Sequence, residues 1–258
     1  MSALESTQAS FSAAARATPA ATVDIVDASL VIEGRPVLRN VTWRSRSPRV
    51  SVIGRNGSGK STLARVLAGL VPVTSGSVLV NGKDLAKDRR GALDEVGILF
   101  QNPDHQIIFP TVLEEVAFGI EQKGASRPDA AARAREVMAR FNVPHWADAH
   151  IGALSQGQRH LVCLMAVVAM APRLLVLDEP FAGLDIPTRS QLGRYLEHYR
   201  GNLVHITHDP TDLAGYEHVL WLDRGAVRTF GATAIVLPAY LAEMKSRGDE
   251  DDIFDLAD

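Results

Sequence analysis

A glycine-rich stretch that begins at Gly54 has the residue types and spacing of a loop that binds phosphate. It follows a short apolar run, 49–53, and opens a segment with helical character. Backbone N–H groups can wrap an anion at glycine positions because no Cβ obstructs close approach, and the following helix points the positive end of its dipole at that anion. We expect Lys60 to bridge the β- and γ-phosphates of a nucleotide and Ser61 to bind Mg²⁺. The residues of this P-loop pattern are Gly54, Arg55, Asn56, Gly57, Ser58, Gly59, Lys60, Ser61 and Thr62.

Two acidic residues, Asp178 and Glu179, end a second apolar run, 174–177. A carboxylate at the tip of a buried strand is costly unless a cation or hydrogen bonds compensate its charge. Mg²⁺ shared with Ser61 would compensate Asp178, and Glu179 would orient and polarise an attacking water molecule. Such a strand end is common on its own, but together with the P-loop pattern it predicts a nucleoside triphosphatase.

Four further motifs resemble those of ABC ATPases in type and in order along the chain. Gln101 follows an apolar strand, as in the Q-loop of that family. The sequence Leu-Ser-Gln-Gly-Gln at 154–158 resembles the signature motif, Gly183-Leu184-Asp185 resembles the D-loop, and His208 resembles the switch histidine. The order and spacing match over nearly the whole chain, from about Val23 to Gly231.

The resemblance implies a head-to-tail dimer, either of two identical chains or with a related ATPase, with two ATP molecules at its interface. Each ATP would lie between the P-loop of one subunit and the signature of the other, where Ser155 and the helix-start N–H groups near Gly157 form a second anion site. His208 would contact the γ-phosphate, and Gln101 would sense Mg²⁺ and the attacking water. The remaining nucleotide contacts that the resemblance implies are Gln156, Gln158 and Asp185.

The chain departs from the family pattern at two places that bear on the nucleotide. Gln156 stands where the signature usually has its first glycine, although Gly157 is retained. Val31 or Ile32 stands where an aromatic residue usually stacks on adenine, so we expect apolar packing rather than ring stacking to hold the base.

The segment that starts at Gln101 is similar to that of the energy-coupling-factor subgroup, importers that take up vitamins and transition metals through a small substrate-binding membrane protein. Within this subgroup the chain resembles the ATPases of biotin-uptake members. This implies a transmembrane coupling subunit and a substrate-binding membrane subunit as partners, and a peripheral position at the cytoplasmic face of the inner membrane. Another vitamin or a metal ion (cobalt or nickel) stays open as the substrate, because an ATPase does not contact it. The stretches that carry both resemblances are 48–50, 54–56, 101–106, 109–112, 116–119, 154–159 and 181–187.

Two other classes of protein share part of the pattern. A soluble, non-transport ABC ATPase acting on ribosomes or DNA would carry two cassettes in one chain or long coiled coils before the signature, and neither is visible. A P-loop kinase of a small metabolite would explain 54–61, but it would leave Ser155–Gln158 and His208 without a role.

The composition is that of an ordinary globular protein, with 46% apolar and 22% charged residues. A net charge of -3 gives no basic footprint, so no nucleic-acid partner is expected. The longest apolar run, Leu161–Ala171, is far shorter than the ~20 residues of a membrane span and predicts a buried helix. The single cysteine, Cys163, excludes an internal disulfide and is expected in the core.

Apolar runs that alternate with helical segments predict an α/β fold, which the resemblance specifies as a P-loop NTPase (RecA-like) core with an antiparallel β edge subdomain and an inserted helical lobe. Buried parallel strands are expected at 49–53, 173–177 and 202–206, and the antiparallel sheet at 22–50 with a turn at Glu33-Gly34. The ATPase domain is expected to span 23–247. The first tail, 1–22, is expected to be disordered. The second, 248–258, is expected to be an acidic, solvated tail.

The helical lobe is expected at about 102–160. Thr111 and Glu114 have the spacing of a capping box and predict a helix through Phe118, and Pro128 and Asp129 predict another as far as about Phe141. The loop before Thr111 contains the apolar residues 107–109. These residues either seal the lobe to the sheet or form a surface for a partner helix.

Overall fold

The computed structural model describes residues 22–199 and 201–250, and for 248–250 it describes the backbone alone. The predicted disordered tail, apart from Thr22, and the predicted acidic tail after Glu250 lie outside the described residues. Within the described ranges the chain forms two β-sheets and seven α-helices.

The smaller sheet is antiparallel and lies at one edge of the fold. Its strands are β1 (Val23–Ile32), β2 (Arg35–Ser45) and β4 (Ser75–Val80), in the order β2-β1-β4. Glu33 and Gly34 form the tight turn between β1 and β2, both with positive φ. Alternating residues of β1 are buried, which is the pattern of a sheet with one covered face. The predicted antiparallel edge sheet is therefore confirmed, and β4 is its third strand.

The larger sheet has six strands in the order β5-β6-β7-β3-β8-β9. The first five strands in this order run parallel, and β9 pairs antiparallel with β8. Every residue of β6 and β7 is buried, because helices cover both faces of a parallel sheet. The predicted strands at 49–53 and 202–206 are confirmed, and the third begins one residue later than predicted. The bounds are β3 Arg49–Ile53, β5 Val96–Leu99, β6 Leu174–Asp178, β7 Asn202–Ile206, β8 His218–Asp223 and β9 Ala226–Ala232.

The helices divide between the two faces of the larger sheet. One apolar core lies between the smaller sheet, α1 and one face of the larger sheet, and a second joins the other face to the helical lobe and α6. A small third cluster packs α7 on β8. The lobe, formed by α3 to α5, enters the chain between β5 and β6. The helices are α1 Lys60–Leu67, α2 Arg89–Glu95, α3 Val112–Gln122, α4 Arg127–Arg140, α5 Gln156–Ala169, α6 Ile186–His198 and α7 Thr233–Glu250.

Several helix ends differ in detail from the sequence-based expectation. Thr111 caps α3 through Glu114 N–H, but the Glu114 carboxylate accepts from the Thr111 hydroxyl and not from its backbone N–H, so the reciprocal capping box is incomplete. Helix α3 also continues past Phe118 to Gln122. Helix α7 runs to Glu250, so it occupies the first residues of the segment predicted as an acidic tail.

The apolar run Leu161–Ala171 forms most of α5, and its residues are largely buried. Cys163 is fully buried there, and burial raises the pKa of its thiol to about 12. Across the part of the chain that the structure describes, no helix has the length and apolar character needed to cross a bilayer.

Candidate active site

The strand order brings the sequence motifs to one edge of the larger sheet. Strands β5, β6, β7 and β3 are consecutive neighbours and parallel, so the turns after their C-terminal ends lie side by side. Gln101 follows β5, Asp178 and Glu179 end and follow β6, His208 follows β7, and the P-loop follows β3. Ligands of open α/β sheets bind at this edge.

The P-loop is a compact turn between β3 and α1. Lys60, almost completely buried, folds back over the loop, and its Nζ donates to the carbonyl oxygens of Gly54 and Arg55 at 2.7 and 3.1 Å. Gly57 and Gly59 have φ of 76° and 98°, a conformation that favours glycine. Burial lowers the pKa of Lys60, while the carboxylates of Glu179 and Asp178 act in the opposite direction. Two backbone carbonyl oxygens therefore bind the Lys60 ammonium group, and the oxygens of an incoming anion can take their place.

The inner wall of the loop has no room for larger residues. A Cβ on Gly54 would lie 2.2 Å from the carbonyl oxygen of Leu222, and one on Gly59 would lie 3.1 Å from that of Val37. Ser58 Oγ is buried and, among the described residues, has no hydrogen-bond partner. A cradle of this kind with an unpaired hydroxyl group is suited to a phosphate, which brings several acceptor oxygens.

Asp178 and Ser61 form the part of the site that can hold a metal ion. Ser61 Oγ donates to Asp178 Oδ1 at 3.1 Å, and Asp178 is only 3% exposed. Burial raises the pKa of Asp178, and the Ser61 hydrogen bond is the largest opposing influence. No group of three or more His, Cys, Asp or Glu side chains in the described ranges could hold a metal ion by itself. One carboxylate and one hydroxyl fit Mg²⁺, which is commonly bound through few protein ligands together with substrate phosphates.

Glu179 lies between the P-loop and the turn after β7. Its Oε2 is 2.6 Å from Nδ1 of His208, and its Oε1 is 3.9 Å from Nζ of Lys60. The backbone of Glu179 has φ 53°, a rare value for this residue type, and its N–H donates to the carbonyl oxygen of Ile206. Strained backbone of this kind occurs often at functional sites. Glu179 is buried whereas His208 is exposed, so the pair reaches from the interior to the surface.

Two predicted nucleotide contacts remain at the margin of this cluster. Gln101 is exposed, two residues beyond the end of β5. Val31 and Ile32, at the end of β1, are 44% and 43% exposed. Val31 pairs with Pro36 of β2, and the next residue, Val37, has its carbonyl oxygen beside Gly59 of the P-loop. Exposed aliphatic side chains therefore lie close to the P-loop, where an adenine ring could pack on them.

The signature residues form the N-terminus of α5. Ser155 and Gln158 make a complete capping box, in which each side chain accepts from the other's backbone N–H. Gln156 is exposed, and its Nε2 is 3.4 Å from where a Cβ on Gly183 would lie. A Cβ on Gly157 would lie 3.1 Å from Thr188 Oγ1. Within one chain, therefore, the described contacts of the signature run to the D-loop and the start of α6.

Sequence reasoning missed a charged group beside the site. Arg189 on α6 forms ion pairs with Asp209 and Asp212, which follow His208 in the chain. The available signal was weak: Arg189 is one helical turn after Asp185, and the two acidic residues lie just beyond the switch histidine. Only the fold brings them together.

The chain matches the ABC transporter family over residues 38–182, more than half of its length, and this range includes the P-loop, the signature and the Asp178-Glu179 pair. The chain belongs to the ABC transporter family. It is accordingly an ABC ATPase, an ATP-hydrolysing transporter subunit.

Two relatives of known name are similar to this ABC ATPase over most of their length. The biotin transport ATP-binding protein BioM of Rhodobacter capsulatus is 47% identical over 224 residues, which cover 87% of this chain and 96% of that protein. The energy-coupling factor transporter ATP-binding protein EcfA1 of Streptococcus thermophilus is 35% identical over 206 residues, 78% of this chain and 72% of that one. Among solved structures, the dimeric post-hydrolysis state of the cassette MJ0796 with ADP and phosphate has a TM-score of 0.72 at 25% identity, covering 81% of this chain and 98% of that one.

Proposed function

We propose that this ABC ATPase is the motor subunit of an energy-coupling-factor importer that takes up biotin. The observation that carries the proposal is the likeness to the biotin transport ATP-binding protein, which extends over almost the full length of that relative. The assembled P-loop, acidic pair and switch histidine support the ATPase part of the proposal independently.

In this proposal the residues of the P-loop bind the phosphates of ATP. The loop N–H groups and the start of α1 surround the β-phosphate, and Lys60 leaves its backbone carbonyls to bridge the β- and γ-phosphates. Ser61 and Asp178 would hold Mg²⁺, and Gln101, which is exposed in the structure, would reach the same ion by turning inward. When bound, the ion neutralises charge on the β- and γ-phosphate oxygens.

Glu179 is the group that handles the attacking water. Its carboxylate, held near Lys60 and His208, accepts a hydrogen bond from a water molecule in line with the γ-phosphorus. As the water oxygen bonds to phosphorus and the bond to the ADP oxygen breaks, the water proton passes to the Glu179 carboxylate. His208 releases Glu179 and donates to the γ-phosphate, a geometry that an exposed imidazole beside the carboxylate can reach.

Two chains, or this chain and a related ATPase, supply one complete site. Ser155, Gln156, Gly157 and Gln158 form the N-terminus of α5, which contacts the D-loop and the start of α6 in its own chain and suits a phosphate on a second subunit. Asp185, at the start of α6, adds a contact at the same interface. The solved MJ0796 cassette, which has ADP and phosphate bound, is also a dimer. Closure that depends on the γ-phosphate is then released by hydrolysis.

The loop 105–110 is the proposed contact with a transmembrane partner. Glu115, itself buried, accepts from the backbone N–H groups of Ile108 and Phe109 at 2.8 and 2.9 Å, so the loop has a fixed shape. Ile108 is left 69% exposed. A groove of about 240 Å³ runs beside the loop, with walls that include Ile107, Phe109 and Ile151. An apolar face of a helix from the membrane subunit fits such a groove.

This groove is connected to the nucleotide site through the residues before it. Gln106 Oε1 accepts from the backbone N–H of Phe100, the residue next to Gln101. A movement of Gln101 toward Mg²⁺ would therefore pull on the loop that carries Ile108. In the proposal, this is how ATP binding reaches the coupling subunit and, through it, the substrate-binding membrane subunit at the cytoplasmic face of the inner membrane.

Uptake by cells tests the proposal directly. Cells that lack the chain should lose high-affinity uptake of radiolabelled biotin, and the wild-type chain should restore it whereas the Glu179→Gln chain should not. Uptake of cobalt and nickel ions and of other vitamins is measured in the same cells. If biotin uptake is unchanged and that of another solute falls, the biotin assignment is wrong and the importer assignment is kept. If no uptake changes, the importer assignment is wrong.

A further inference from the structure

The first turn of α6 lies directly against the signature. Asp185 begins this helix by accepting from the backbone N–H of Thr188 at 2.9 Å. The backbone of Gly157 is so close to Thr188 that a Cβ there would lie 3.1 and 3.2 Å from the threonine Oγ1 and Cγ2 atoms. Because the backbone of the signature lies against a side chain of α6, a shift of the signature toward the helix displaces the start of α6.

The next residue of α6 connects the helix to the segment that contains His208. Arg189 Nη2 donates to Asp209 Oδ2 at 3.2 Å and also to Asp212 Oδ1. Asp212 accepts from Thr207 Oγ1 at 2.8 Å, and the same hydroxyl accepts from the Asp209 N–H at 3.0 Å. The residues on both sides of His208 are therefore fixed to one guanidinium group.

Arg189 also lies beside the segment that follows Glu179. Its guanidinium carbon is 5.0 Å from the ring centroid of Phe181, two residues after Glu179. Asp212 is only 7% exposed at its side chain, and Arg189 is its ion-pair partner among the described residues. Removal of Arg189 would leave a buried carboxylate without its cation, which favours rearrangement of the turn.

We propose that Arg189 is a positioning residue that fixes the segment carrying His208, so that the imidazole can pass from Glu179 to the γ-phosphate, and that it transmits the position of the signature to this pair. The inference rests on the roles that the proposed function gives to Glu179 and His208. In a head-to-tail dimer, the signature touches the ATP of the other subunit. The path Gly157, Thr188, Arg189, Asp212 and His208 would then make hydrolysis in one site responsive to the nucleotide in the other.

Steady-state hydrolysis by the full chain provides the first measurement. Arg189→Ala should lower kcat about 10- to 100-fold and change KM for ATP less than about threefold, because the misplaced group acts on chemistry and not on binding. Arg189→Lys should recover part of kcat, since it keeps the charge but not the two-pronged geometry. Arg194→Ala, an exposed arginine on the same helix, is the matched control and should behave as wild type.

A double-variant comparison separates positioning from general stability. In a His208→Ala chain, adding Arg189→Ala should lower kcat by less than about twofold, because the interaction that Arg189 supports is already absent. A full additional loss in that background overturns the proposal, as does a normal kcat for Arg189→Ala. If Arg189→Ala does not fold, Asp209→Asn replaces it and must show the same pattern. Glu179→Gln is measured in parallel: if it retains activity, the role that the proposed function gives to Glu179 is wrong, and if only the Arg189 variants retain activity, the inference alone is wrong.

Discussion

Nδ1 of His208 lies 2.6 Å from Oε2 of Glu179, so a direct hydrogen bond joins two residues that are 29 positions apart. The bond places an exposed imidazole over a buried carboxylate at the sheet edge that carries the P-loop. The two side chains extend from turns that follow neighbouring strands, β6 and β7.

Glu179→Gln should keep ATP and Mg²⁺ binding and lower the turnover number by about 10² or more, because the amide is isosteric but a poor base. The measurement is phosphate release together with binding of a labelled ATP, and exposed Glu197→Gln on α6 is the control. Near wild-type hydrolysis would remove Glu179 from its role.

Lys60→Ala should instead weaken ATP binding itself, since the phosphates lose a buried point charge.

Gly157→Val should prevent ATP-driven dimerisation. A Cβ at position 157 would lie 3.1 Å from Thr188 Oγ1. The valine side chain would also block close approach of a phosphate to the start of α5. Gln156→Gly should leave hydrolysis within a few-fold, because that side chain is exposed beside Gly183. Size-exclusion chromatography with ATP, in a Glu179→Gln background, measures dimerisation, and phosphate release by chains that keep Glu179 measures hydrolysis. A Gly157→Val chain that dimerises normally would show that the composite site lies elsewhere.

Asp178→Asn should stabilise the nucleotide-free chain while it removes the response to Mg²⁺-ATP. Burial raises the pKa of Asp178, so its ionised form is unfavourable in the folded state at neutral pH. We expect Tm to rise by about 2–4 °C for each kcal/mol gained in the free energy of unfolding. The further increase in Tm that Mg²⁺-ATP should produce in the wild-type chain should disappear. Thermal unfolding with and without Mg²⁺-ATP tests this, with exposed Asp148→Asn as the control. A lower Tm for Asp178→Asn without nucleotide would contradict it.

Ile108→Asp should abolish assembly with the membrane subunits and leave ATP binding unchanged. A carboxylate placed in an apolar interface without a partner costs several kcal/mol. Phe109→Asp should have the same effect, but Phe109 also packs on Phe118 with ring centroids 4.9 Å apart, so that variant changes the fold as well. The measurement is co-purification of the biotin-transport membrane subunits from detergent extracts. Ile235→Asp, an exposed site on α7, should assemble normally, and assembly of Ile108→Asp would exclude this loop as the contact.

Acid should destabilise the chain through His160. Burial lowers the pKa of His160 from 6.5 to about 4. The unfolded chain takes up this proton near pH 6.5 and the folded chain only near pH 4, so stability falls as the pH drops between these values, by about 3 kcal/mol in total. His160→Gln should flatten this part of the pH profile of urea unfolding. His205, whose pKa burial lowers to about 3, remains in both proteins and contributes to the slope that is left. Equal slopes in the two proteins would contradict the prediction.

Much of the fold could be predicted from the sequence because short runs of neighbouring residues determine its strands and loops. Strands β3 and β7 are near-continuous apolar runs, and their fully covered position in a parallel sheet requires that pattern. The P-loop was equally visible, since only glycine allows its backbone conformation and its approach to Leu222.

The features that the sequence did not predict depend on contacts between distant residues. Arg189 and Asp212 are 23 positions apart and meet only after α6 packs beside β7. The acidic end of α7 stays helical because Arg247, near that end, donates to Asp223 at the end of β8 at 3.1 Å. The capping box at Thr111 is incomplete because the Glu114 carboxylate accepts from the Thr111 hydroxyl instead of the Thr111 backbone N–H. Residue spacing does not distinguish these two donors, because both belong to the same residue.

Strand β3, which carries the P-loop, has both of its neighbours from the last quarter of the chain. Val52 pairs with Ile206 on one side and Leu220 on the other. During synthesis, the P-loop therefore leaves the ribosome long before the strands that hold it, and contacts of such long sequence separation form late in folding. The helices of the lobe contact one another within residues 112–169, so they can pack before β7 and β8 emerge. The nascent chain thus acquires its ability to bind nucleotide only after β7 and β8 have been synthesised, so ATP cannot assist the early steps of its folding.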